Sequence, residues 1–115
     1  MGKRYTANTD YTVIDRSPLT LKAGDHVRVG KTDEGWPGWI WVTAKDGRGS
    51  YVPDDIIEVM DDGHGRVSQS FHAQDLSVAK GDLVTSLREV KGWHWCRKQS
   101  GEEGWLPEYL LNATE

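Results

Sequence analysis

The sequence predicts an all-β protein made of two consecutive small five-stranded barrels, and three observations carry that expectation. The chain repeats itself after about 55 residues, its apolar residues fall in short alternating runs, and Gly-Asp, Asp-Gly or Ser-Gly pairs punctuate those runs.

The repeat is legible by eye. Residues 19–25 read LTLKAGD, and residues 76–82 read LSVAKGD, 57 positions later. GWIWV (38–42) returns as GWHWC (92–96), and SYVPDDII (50–57) returns as GWLPEYLL (104–111), both 54 positions later. ANTDY (7–11) can be laid on VSQSF (67–71) at an offset of 60, the weakest of the matches. Each step in offset is a change of loop length. The expected division is one domain over residues 1–60, a short linker over 61–65 and a second domain over 66–115. The segment MDDGHG (60–65) has the Asp and Gly content of a turn or a short link.

Within a unit, His26-Val27-Arg28-Val29 alternates polar and apolar, Trp39-Ile40-Trp41-Val42 is aromatic and β-branched, and Tyr51-Val52 stops at Pro53. These read as short strands. No window holds a helical stripe longer than a turn. At Gly24-Asp25 and Gly81-Asp82 the chain must turn, because glycine accepts positive φ and an Asp carboxylate accepts nearby backbone N–H groups. Asp46-Gly47 and Ser100-Gly101 mark hairpin turns.

Composition narrows the function. The chain of 115 residues is 37% hydrophobic and 28% charged, an ordinary soluble balance that indicates neither disorder nor a membrane protein. Its net charge of −4 disfavours nucleic acid as a partner. The start, MGKRYTANTD, lacks the apolar core of a signal peptide, and Cys96 has no second cysteine to pair with, so a cytoplasmic location is expected. Cys96 aligns with Val42 and reads as a small buried hydrophobe rather than a nucleophile. His26, His64, His72 and His94 show no metal-ligand spacing. Asp61-Asp62 and Glu102-Glu103 read as solvated turn charge. No enzyme, catalytic residue, metal or cofactor is expected.

The order Ala-x-x-Asp-Tyr, Leu-x-Leu-x-x-Gly-Asp, Gly-Trp-x-Trp-Val, x-Tyr-Val-Pro resembles a Src homology 3 (SH3) domain, and the second half repeats it. EGWPGWIWV (34–42) and GEEGWLP (101–107) are most similar to the bacterial variant type, so the resemblance is to a tandem pair. It implies barrels that hold extended, often proline-rich, peptide segments of a partner protein. Flat aromatic faces can grip a polyproline II segment at small entropic cost, because that segment has few states to lose.

The positions matching the family's binding face are Tyr11, Trp39, Tyr51 and Pro53 in the first half, with Trp36 beside them. In the second half they are Phe71, Trp93, Trp105 and Pro107. Trp39 and Trp93 are expected to be partly exposed platforms, Trp39 beside Tyr11 and Trp93 beside Phe71. Asp15, Asp33 and Glu34 are the acidic groups expected to attract a basic residue of the ligand. The family's other two tyrosine positions carry Thr9 and Gln69, and Ile56 and Leu110. Trp41 and Trp95 divide between packing and the rim of the site. A glycan-binding module, in which indoles stack on sugar rings, and a rigid structural pair with vestigial grooves are the competing readings.

Overall fold

The computed structural model describes residues 2–13 and 18–114. The described residues form strands β1 (Lys3–Ala7), β2 (Thr20–Leu21), β3 (His26–Thr32), β4 (Trp39–Thr43), β5 (Gly49–Pro53) and β6 (Ile57–Val59). They continue with β7 (His64–Val67), β8 (Phe71–His72), β9 (Leu83–Val90), β10 (Trp93–Lys98), β11 (Glu103–Pro107) and β12 (Leu111–Ala113). Between them lie single 3₁₀ turns at Asp54–Ile56, Asp61–Gly63 and Glu108–Leu110, and no α-helix occurs among the described residues. The all-β expectation holds.

The predicted turns hold in detail. Gly24 and Gly81 sit at φ 95° and 94°. The carboxylate of Asp25 accepts the Lys22 N–H at 2.9 Å, and that of Asp82 accepts the Ala79 N–H at the same distance. Gly47 and Gly101 close the β4–β5 and β10–β11 hairpins at φ 90° and 97°.

The division of the chain departs from the expected contiguous halves. Contacts separate one unit of residues 1–16 plus 74–115 from another of residues 17–73. The first has the sheet order β11-β10-β9-β1-β12, and the second β5-β4-β3-β7-β6. Strand for strand these are the same order, but each unit draws one central strand from the opposite half of the sequence. β1 lies between β9 and β12, and β7 lies between β3 and β6. The unit of residues 17–73 is thus a circular permutation of the other, inserted into its first long loop.

The cause is local. Residues 61–65, expected as a linker, belong instead to a hairpin: Ile57 pairs with Val67, Glu58 with Arg66 and Val59 with Gly65. Asp62 and Gly63 turn it at φ 63° and 72°, the Asp-Gly pair that favours tight hairpins. So short a turn makes β6–β7 the cheapest pairing available, because little loop entropy is lost in closing it. With β7 beside β6, the place of the first strand in residues 17–73 is filled.

The cores correspond position by position. Ala7, Leu76, Val78, Val84, Cys96, Leu106, Leu110 and Leu111 cluster in the first unit. Their counterparts Val67, Leu19, Leu21, Val27, Val42, Val52, Ile56 and Ile57 are buried in the second. Val67 replaces Ala7 because β7 replaces β1. Cys96 is fully buried, as expected, and burial pushes its thiol up to about 12, so almost no thiolate forms near neutrality.

Neither sheet is a closed barrel. Among the described residues no ladder joins β11 to β12, or β5 to β6, so both sheets are open at those edges.

Candidate functional site

The exchange of strands also exchanges the expected aromatic partners. Tyr11 belongs to the unit that carries Trp93 and Pro107, and Phe71 to the unit that carries Trp39 and Pro53. Backbone pairing shows why. Tyr11 bridges Val78 through N–H···O bonds of 2.8 and 2.9 Å, and Phe71 pairs with Leu21 in the equivalent place.

In residues 17–73, Trp39 packs edge-on against Phe71 with ring centroids 6.2 Å apart. It is only 5% exposed, and Phe71 and Pro53 are buried as well. The expectation of an exposed platform at Trp39 therefore fails: the ring is part of the packing. Asp33 turns its carboxylate back on its own loop, accepting the Gly35 N–H at 2.9 Å, while Glu34 is exposed. Trp36 is half-buried in that loop, its carbonyl accepting the Trp39 N–H. Asp15 lies outside the described residues.

The exposed aromatic surface of this unit is two residues further along β4. Trp41 and Tyr51 are directly opposite one another on β4 and β5, 38% and 41% exposed, with centroids 5.2 Å apart in an edge-to-face contact. Glycine makes room for it. A Cβ on Gly49 would come within 2.5 Å of the indole, and one on Gly30 within 3.1 Å. Among the described residues, neither the Trp41 indole N–H nor the Tyr51 hydroxyl has a hydrogen-bond partner that would satisfy it. An aromatic face with unspent polar groups at its rim suits a ligand that brings both apolar rings and carbonyl oxygens.

The same two positions in the other unit are Trp95 and Trp105, again cross-strand partners and again edge-to-face, at 5.3 Å. Here the protein covers its own pair. The Trp95 indole donates to Glu103 at 2.7 Å, Arg97 holds the other Glu103 oxygen at 2.9 Å, and the Arg88 guanidinium lies 5.8 Å from the Trp105 ring. The Trp95 and Arg97 donors hold the Glu103 carboxyl below the usual carboxylate range. Glu103 stands where the unit of residues 17–73 has Gly49, so the acceptor that engages the Trp95 indole has no counterpart beside Trp41. Trp105 is buried, which corrects its expected role in a groove.

Pro107 is likewise buried, paired with Trp93 on β10, and Trp93 is half-buried as expected of it. Tyr109 is strongly exposed, and Tyr11 is half-buried with its hydroxyl 3.4 Å from Asp75. Burial first, then the Asp75 charge and hydrogen bond, and last Tyr109 push the Tyr11 phenol up to about 12. A phenol raised in the folded state stabilises the fold fully below its unfolded value near 10, and that stability is lost as pH rises toward 12. An ultraviolet phenolate titration is expected to show a component with a midpoint at about 12, absent in Tyr11→Phe.

Sequence reasoning divided Trp41 between packing and the rim of the site and took Trp39 as the exposed ring, whereas Trp41 is the more exposed of the two. The available signal was the glycine pair, Gly30 and Gly49, facing one tryptophan from both neighbouring strands.

Residues 4–60 match the family model of the variant SH3 domain. A comparison with curated proteins found no match. The matched span runs in sequence from β1 to β6, whereas in the folded chain β7 occupies the strand position that β1 holds in the linear pattern.

Proposed function

We propose, from the match of residues 4–60 to the variant SH3 family model, that this protein is a non-enzymatic interaction module whose two units, residues 17–73 and residues 1–16 with 74–115, are both SH3-like. SH3-like domains bind protein or peptide ligands, and the ligand class proposed for this chain is an extended peptide segment, proline-rich ones included. The observation that carries the reading is the Trp41–Tyr51 pair: two aromatic rings in cross-strand register, both open to solvent, with the indole N–H and phenol available to a ligand backbone. Such exposed indoles are the residues that dominate binding energy when a partner covers them. A proline ring laid against Trp41 would gain contact with little conformational cost, since polyproline II is already extended. Glu34, exposed in the loop between β3 and β4, supports attraction to a basic ligand residue.

The test is a titration of arrayed proline-rich and other extended peptides, followed by indole fluorescence. Trp41→Ala is expected to weaken the best binder at least about tenfold, the loss typical of a central aromatic anchor. Trp95→Ala, at a half-buried ring whose indole N–H already donates to Glu103, should leave affinity unchanged. Equal affinity in wild type and Trp41→Ala, or binding to purified glycan in place of every peptide, would overturn the proposal.

A further inference from the structure

Glu89, His94 and Glu108 come together at one end of the unit formed by residues 1–16 and 74–115, and we infer that they form a binding site for a divalent transition-metal ion of the zinc type. Each contributes one donor atom, and the three atoms lie within 4.8 Å of one another. Nε2 of His94 is 3.8 Å from a Glu108 oxygen and 4.0 Å from a Glu89 oxygen.

The imidazole is the decisive group. His94 is only 3% exposed, and its Nε2 is buried without a hydrogen-bond partner. Its other nitrogen, Nδ1, is 2.7 Å from the Ser86 hydroxyl, and Tyr5 packs edge-on against the ring at 5.2 Å. The ring is therefore oriented from behind, as metal-ligating imidazoles are, with the unsatisfied nitrogen directed at two carboxylates. A buried polar atom left unpaired costs about 1–3 kcal/mol in general, so such atoms usually have a purpose.

The backbone holds the three donors in place. Glu89 and His94 are directly opposite across the β9–β10 hairpin, turned by Lys91 and Gly92 at φ 47° and 92°. The Glu108 N–H donates to the Gly92 carbonyl at 2.9 Å, which fixes the start of the following 3₁₀ turn to the same hairpin. Ligand bonds of about 2.0–2.2 Å put tetrahedral donors roughly 3.3–3.6 Å apart. The glutamate side chains, 54% and 60% exposed, can close the remaining gap by rotation. One imidazole and two carboxylates make a mixed nitrogen–oxygen set that suits zinc and its neighbours better than magnesium or calcium.

The internal repeat supplies a comparison. Where this unit has Ser86, Glu89, His94 and Glu108, the other has Val29, Thr32, Ile40 and Asp54 by the same strand pairings. Buried Ile40 and half-buried Val29 stand where this unit has His94 and Ser86, Thr32 stands where it has Glu89, and Asp54, itself a carboxylate, stands where it has Glu108.

The full-length chain, freed of metal by chelator, is titrated calorimetrically with Zn²⁺ while the imidazole ¹⁵N signals are followed. One equivalent is expected to bind, with a shift confined to Nε2 of His94. Glu89→Gln and Glu108→Gln should each weaken binding at least about tenfold, because each removes an anionic ligand. His94→Ile, which installs the residue the other unit carries, should abolish it and still fold. No binding at 1 mM Zn²⁺, undiminished binding in the glutamine variants or His94→Ile, or an imidazolium at His94 that persists in saturating Zn²⁺ would each overturn the site.

Discussion

Residues 17–73 produced alone are expected to fold cooperatively, whereas residues 74–115 alone are expected to be unfolded and to fold when a peptide of residues 1–16 is added. The first fragment contains β3 to β7, every strand of its sheet, together with its buried residues from Leu19 to Val67. The second lacks β1, which occupies the middle of its sheet, paired through Tyr5 to both Val84 and Ala113. Without β1, two strands lose their hydrogen-bonding neighbour at once, and Ala7 leaves the core cluster. A small domain has about 5–15 kcal/mol of stability, too little to survive that loss. Circular dichroism melts of each fragment, and of the equimolar mixture, decide the matter. A folded 74–115, or a disordered 17–73 beside a folded 1–60, would show that the strand exchange does not occur.

Trp39→Ala is expected to destabilise residues 17–73 by about 3–5 kcal/mol, the usual cost of truncating a buried large aromatic. The ring is 5% exposed and packs on Phe71, so its removal leaves a cavity rather than an emptied binding face. Trp41→Ala should cost about 1–2 kcal/mol, since more than a third of that ring is in water. Urea denaturation of the two variants separates these expectations from the sequence-based one, in which Trp39 is the exposed residue. Phe71→Ala should be nearly as damaging as Trp39→Ala, and the double variant should lose less than the two single losses combined, because the rings share one contact. A Trp39→Ala protein as stable as wild type would return Trp39 to the ligand surface.

Much of the strand content and turn chemistry was legible in the sequence because both depend on neighbouring residues. Period-two alternation marked β3, aromatic and β-branched composition marked β4, and the Gly-Asp pairs placed φ-positive corners where the structure has them. The burial of Cys96 followed from its alignment with Val42. Even the weakest repeat match, ANTDY on VSQSF, was sound: Tyr11 and Phe71 occupy equivalent places opposite Val78 and Leu21.

What the sequence determined by itself was the list of strands, their order within a repeat and the surplus of aromatic residues available for a surface. Which repeat each first strand joins was decided only in three dimensions. A linear match cannot distinguish β1 from β7, since both fit the same slot, and the slot goes to the strand that the Asp62-Gly63 turn delivers beside β6. Tertiary structure likewise decided that Trp39 is packed and Trp41 is open, because exposure depends on Phe71 approaching from a strand 32 positions away in the chain and on the space left by Gly49. It also gathered Glu89, His94 and Glu108, whose spacing in sequence resembles no ligand motif, for the hairpin and the tethered 3₁₀ turn set their distances rather than the number of residues between them.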